Sequence, residues 1–113
     1  MVEHEQMKET LLTWNSAVEL HNSGNYNEAI ENYYKIKTLS ARMRYNIACA
    51  EIKLNNVLAA IKNLTLAIEL DNHLAIAFFL RGTLYLQRNS MKEAISDLEM
   101  ARALLRGKHV YRL

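Results

Sequence analysis

Four histidines, one cysteine and twelve carboxylates are the groups in this 113-residue chain that could hold a metal or act on a substrate. His4, His21, His73 and His109 share no metal-ligand spacing, and Cys49, the one thiol, falls inside a helical stretch. A closed zinc site needs several nitrogen or sulfur donors converging at short intervals, and Cys49 reads as a small packed hydrophobe. There is no glycine-rich phosphate loop and no nucleophile elbow. The carboxylates are scattered over helix faces, where they keep a surface solvated. These residues give no reason to expect a metal, a cofactor or an enzyme, and point to recognition. Two short runs could supply it: Asp71-Asn72-His73-Leu74-Ala75 and Leu105-Arg106-Gly107. A guanidinium presents five donors in a plane and can satisfy several carbonyls of a partner. Read without a partner, Asp71 is a helix N-cap, His73 an exposed first-turn residue and Arg106 a cation complementing a helix C-terminus.

Composition sets the frame for those residues. Half of the chain is hydrophobic and 23% is charged, so a continuous core can form and disorder is excluded. A formal charge of +2 is too small for a nucleic-acid surface, which needs a clustered basic face. No apolar run reaches the ~18 residues of a membrane span. Residues 1–10 carry Glu3, Glu5 and Glu9, unlike a secretion signal. One cysteine cannot close an internal disulfide, which fits a reducing, cytoplasmic setting. With no proline and three glycines, the chain reads as helical nearly throughout.

The elements follow from a repeated pattern. Ala29-x3-Tyr33-x2-Ile36, Ala60-x3-Leu64-x2-Ala67 and Ala94-x3-Leu98-x2-Ala101 place the first alanines 31 and then 34 residues apart. That period and pattern mark tetratricopeptide repeats, each a helix-turn-helix hairpin. The fold expected is an all-α right-handed superhelix of three such hairpins in one domain over 1–113. The repeats span about 7–38, 40–72 and 73–107, and 108–113 begin a tail or insertion. Six helices are expected, the first from Met7 to Asn22. Asn25 and Glu28 form a capping pair for the second, and Ser40 caps the third. The fourth ends near Asp71 and the fifth covers His73 to Gln87. The sixth is capped by Ser90 with Glu93 and ends at Gly107. Because the first spacing is three residues short, the Lys37-to-Arg42 turn should be tight. Helix six shows Ile95, Leu98, Leu104 and Leu105 with no room for a capping helix, so the chain looks truncated or covers that face by association.

Two partner surfaces compete. One is the concave groove, where some repeats grip a C-terminal carboxylate with Lys, Asn and Arg. By register the clamp positions are Trp14, Val18, Asn46, Ile76 and Leu80, and only Asn46 has a suitable type. A generic adaptor binding a peptide in that groove is the alternative reading. The other surface is the edge where repeats join, carrying Asp71, His73 and Arg106 in adjacent corners.

A resemblance favours the edge. Tyr45-Asn46-Ile47-Ala48-Cys49, the run Asp71 to Tyr85 with its Asp-x-His-Leu-Ala and Phe-x2-Arg-Gly segments, and Leu104-Leu105-Arg106-Gly107 resemble the N-terminal domain of the NADPH oxidase activators. The likeness covers about Leu12 to Gly107, and the short first spacing belongs to that family too. It implies a scaffold that binds the small GTPase Rac in its GTP-bound form and supports assembly of the superoxide-producing oxidase. Other oxidase subunits would be met through regions absent here. Carried over by position, Asp71, His73 and Arg106 are contact residues, and Lys108 and Val110 stand at contact positions of a following hairpin. The family serine of the first connection corresponds to Ala41, with Ser40 and Arg42 beside it, and Arg112 reverses the charge of a family aspartate. No nucleic acid and no membrane insertion are implied.

Overall fold

The computed structural model describes residues 2–110, with side chains described from His4 to Gly107. Within that range the chain forms α1 (Val2–Asn22), α2 (Tyr26–Tyr33), α3 (Ala41–Lys53), α4 (Val57–Leu70), α5 (Ala75–Gln87) and α6 (Met91–Val110), with no strand. Successive pairs fold into three hairpins, and α2 against α3 and α4 against α5 join each hairpin to the next.

The three hairpin turns are built alike. Gly24, Asn55 and Asn89, at one register in the repeats, have φ of 85°, 63° and 62°. Glycine and asparagine tolerate this left-handed conformation best. The next residue then reaches back: the N–H groups of Asn25, Asn56 and Ser90 donate to the carbonyls of Leu20, Glu51 and Tyr85 at 2.8–2.9 Å. This is the Schellman closure of a helix C-terminus. Asn25 therefore does not act through a side-chain capping pair with Glu28, since it makes no side-chain cap bond. Its backbone is what the turn uses. Ser40 does cap α3 as expected, its Oγ accepting from the Met43 N–H at 3.2 Å.

Inside each hairpin small residues let the helices cross closely. Ala17, Ala48, Ala29, Ala60 and Ala94 are wholly buried. At Gly82, a Cβ would meet Leu98 Cγ at 3.0 Å and Asp97 Cβ at 3.1 Å. One core cluster, around Ala17, Ala29, Tyr33 and Ile47, joins the first two hairpins. A second, around Ala48, Leu64, Ala77 and Leu84, joins the last two.

Four boundaries differ from the sequence reading. The missing three residues do not tighten a Lys37-to-Arg42 turn; they shorten α2, which stops at Tyr33 where α4 continues to Leu70. Residues 34–40 then cross to α3 with Ile36 buried as their anchor. α1 begins at Val2 rather than Met7, and α5 begins at Ala75, after His73. α6 runs through Gly107 to Val110. Glycine ends a helix by turning left-handed, and among the described residues Gly24 is the one glycine with positive φ.

Gly82→Val should lower stability by about 2 kcal/mol, because overpacking forces α6 off α5. Urea denaturation reads this directly, and an unchanged midpoint would refute the close crossing.

Candidate functional site

The connection between the second and third hairpins is ordered by its own aspartate. Asp71 is extended, and its Oδ1 accepts from the His73 N–H at 3.0 Å while its carbonyl accepts from Leu74 N–H at 3.3 Å. This is an Asx turn. Asp71 is therefore not the N-cap of α5; Leu74 holds that position, buried as an anchor. His73 is exposed in the turn, outside the helix.

Arg106 is exposed, and it lies on the shaft of α6 rather than at a helix end. α5 and α6 run antiparallel with Arg81 bonded to Asp97 and Gly82 against Leu98. Arg106 lies further along α6 from these contacts, toward the end of the pair at which the 71–74 connection enters α5. Among the described residues no ion pair joins Asp71 to Arg106; the ion pair present is Arg81 with Asp97. Lys108 and Val110 belong to the last turn of α6, but their side chains lie outside the described residues, as does Arg112 altogether. At the preceding connection the Ser40 hydroxyl is engaged by its cap bond, and Arg42 is exposed in the first turn of α3. Both connections lead from the second helix of a hairpin to the first of the next, so they lie on one edge.

Sequence reading missed the polar lock behind that edge. Arg81 Nε and Nη2 donate to Asp97 Oδ2 and Oδ1 at 2.7 and 2.8 Å, and Nη1 donates to Thr65 Oγ1 at 3.1 Å. One guanidinium thus ties α4, α5 and α6 together. Its pKa is raised by the hydrogen bonds to Asp97, against the cost of burial. The signal was a spacing: Ser16 and Asn32 hold the same register and are also bonded, at 3.5 Å. In the middle hairpin Ile47 replaces the donor, and Arg44, one turn earlier, reaches Asn63 Oδ1 at 3.1 Å instead.

The concave face follows from the same register. Counting by the repeat, Asn46 and Leu80 correspond to Asn15, and Ile76 corresponds to Arg42 and Leu11. Trp14 and Val18, read above as clamp positions, pack instead on the Ala17–Tyr33 cluster, with Trp14 edge-on to Tyr33 at 5.8 Å. The corrected row still has no cation in the first or third hairpin. Trp14, Tyr45 and Phe79 share the next register; Trp14 and Tyr45 pack on the two cores, and Phe79 is exposed. Burial there pushes the Tyr45 hydroxyl up to about 12, and burial also raises the Cys49 thiol, which stays protonated and unreactive. Among the described residues no cluster of His, Cys, Asp or Glu could hold a metal, and no helix is long and apolar enough to cross a membrane.

A tetratricopeptide repeat family model matches residues 41–73. The NADPH oxidase activator of Dictyostelium discoideum is 31% identical over 93% of this chain and 17% of its own length. Human neutrophil cytosol factor 2 is 33% identical over 90% of this chain and 19% of its own. The second tetratricopeptide domain of human RPAP3, solved with an HSP70 peptide, superimposes with a TM-score of 0.81 at 28% identity, covering 90% of this chain and 88% of that one. The chain is a tetratricopeptide-repeat domain matching those of the NADPH oxidase activators. It spans about a fifth of the length of the curated relatives it matches.

Two outcomes test the internal architecture of this tetratricopeptide domain. Arg81→Ala should cost about 3–5 kcal/mol by stranding the Asp97 carboxylate, whereas Arg81→Met with Asp97→Leu should recover most of that loss. Equal losses in the single and double variants, compared by thermal melting, would refute the lock. His21, edge-on to Tyr26 at 5.3 Å, has its pKa lowered by burial and then by Lys53. The unfolded chain therefore binds the extra proton first, and stability should be full above the ordinary value of 6.5 and fall as pH drops below it. His21→Gln should flatten that slope in urea titrations.

Proposed function

We propose that this domain is a protein-interaction scaffold that binds a Rac-type small GTPase in its GTP-bound form and supports assembly of the superoxide-producing oxidase from the cytoplasm. The surface is the repeat edge: Asp71 and His73 in the second connection, Arg106 on α6 toward the same end, Ser40 and Arg42 at the first connection, and Lys108 and Val110 beyond. The observation that carries this reading is the antiparallel pairing of α5 and α6, which turns the end of α6 toward the second connection, together with an Asx turn that fixes the backbone there. Similarity to the oxidase activators over about nine-tenths of the chain supports the same partner class. A switch loop that reorganises with nucleotide presents backbone carbonyls, and an exposed guanidinium with no ion pair among the described residues is suited to collect them.

The exposed Phe79 and Ile76 of α5 favour a second reading, an adaptor taking an apolar peptide in the concave groove. Arg42 is the one cation at the corrected clamp positions, and a single cation speaks against a peptide gripped by its C-terminal carboxylate.

Titration with GTP-loaded and GDP-loaded Rac decides between them. Binding should require GTP, and Arg106→Glu should weaken it by about 2–5 kcal/mol with helicity unchanged. Equal or absent binding of both nucleotide forms would reject the proposal. Loss of peptide binding in Phe79→Ala, with Arg106→Glu silent, would favour the groove.

A further inference from the structure

The first helix of each hairpin should start at one register, and α3 and α5 do so at Ala41 and Ala75. The equivalent residue of α1 is Thr10, yet α1 begins at Val2, eight residues earlier. At a rise of about 1.5 Å per residue, this overhang projects about 12 Å past the body of the repeats. Below it, the early stop of α2 leaves residues 34–40 to cross as an irregular connection. The overhang and the connection together enclose an open groove of about 1170 Å³.

The lining has a definite chemistry. Met7, Leu11, Trp14, Ile36 and Met43 give it an apolar floor and wall. Met7 and Leu11 are 71% and 59% exposed, so this surface is presented to solvent and not consumed by the core. The Trp14 indole is held in place by its contact with Tyr33. Methionine adapts to irregular apolar partners, and exposed apolar patches on a folded domain mark interaction surfaces. Lys8, Lys35 and Lys37 line the groove and are exposed, against one carboxylate among the described residues, Glu9. None of the three lysines takes part in an ion pair among the described residues. The volume exceeds the usual range of small-molecule pockets, roughly 300–1,000 Å³.

The geometry points to a second docking site here, distinct from the Asp71–Arg106 corner and from the concave row, for an acidic amphipathic peptide segment of a partner protein. Its apolar side chains sit on Trp14, Ile36 and Met43, and its carboxylates meet the lysines at the rim. A basic or neutral segment gains only the apolar half of these contacts. The inference does not depend on GTPase binding, because the experiment contains no GTPase.

Trp14 is the one tryptophan of the chain, so its emission reports the groove directly. The probe is a capped dodecapeptide with leucine at every third and fourth position and glutamate elsewhere, and its counterpart carries lysine in place of glutamate. The acidic peptide should give a saturable blue shift that weakens as salt rises. Lys35→Glu with Lys37→Glu, both on the exposed connection, should weaken it at least about tenfold. Phe79→Ala, on the concave row, should leave it unchanged. No shift, equal binding of the two peptides, or equal binding by the lysine variant would overturn the assignment. So would a shift produced by raising protein concentration alone, which would make a second copy of the chain the occupant.

Discussion

Each hairpin depends on two helices crossing so closely that a methyl group, or a hydrogen, is all that fits between them. Ala17, Ala48 and Gly82 mark the crossing on the first helices, and Ala29, Ala60 and Ala94 on the second. Close approach brings backbone and short side chains into contact along a fixed line, so the register between the two helices has little freedom. That register fixes the far end of α6 relative to the 71–74 connection. It also decides that Arg81 meets Asp97 squarely enough for two parallel hydrogen bonds. Interiors pack near crystal density, so a change at the crossing is transmitted to both ends and not absorbed locally.

The Arg81–Asp97 pair adds specificity to this constraint. Replacing such a pair by apolar residues is often neutral or stabilising, so its stability contribution alone does not account for it. Its geometry does more: the third donor of Arg81 reaches Thr65 on α4, so the guanidinium is satisfied only when the third hairpin docks in one position on the second. Leucine and alanine contacts would tolerate a slide of α5 along α4. A planar fork with three acceptors does not. The Asn63 amide, accepting from Arg44 and donating to Tyr34 at 3.2 Å, performs the same task one hairpin earlier.

The repeat and its helix periods were legible in the chain because small residues at fixed intervals have one economical explanation. Ser40 was legible as a cap because a serine hydroxyl before a helical stretch has a free N–H to serve. Asn25 was misread, since an asparagine at that place has two competing uses: its side chain can cap a helix start, or its backbone can close the turn before it. Asp71 was misread for a related reason, its carboxylate reaching the His73 N–H inside the turn and not α5. The shortening of α2 was invisible because a deletion of three residues reports only that chain is missing, not which element gives it up. Arg81 stood in a segment read for its resemblance, and its partner sixteen positions on had no local signal. Asp71, His73 and Arg106 were singled out as polar residues in turn-like surroundings, but the helical continuation past Gly107 was not legible, since glycine terminates a helix only if the next residues close the turn.

Those boundary shifts change what a partner meets. The first helices begin, and the second helices end, at the same edge of the stack. α1 starts eight residues before its register position, and α6 runs six residues beyond the point equivalent to the end of α4 at Leu70. The two connections therefore lie between projecting helix ends and not on a level rim. The α1 overhang carries Glu5 and Glu9 beside Lys8, while the end of α6 carries Arg102 and Arg106. Below the α1 overhang the exposed connection adds Lys35 and Lys37, so cations stand near both projecting helix ends. Charge at such a rim orients an approaching partner more than it adds to final affinity. A partner that fits the connections must also clear two projecting helix ends, which is a stricter demand than a level basic patch would make.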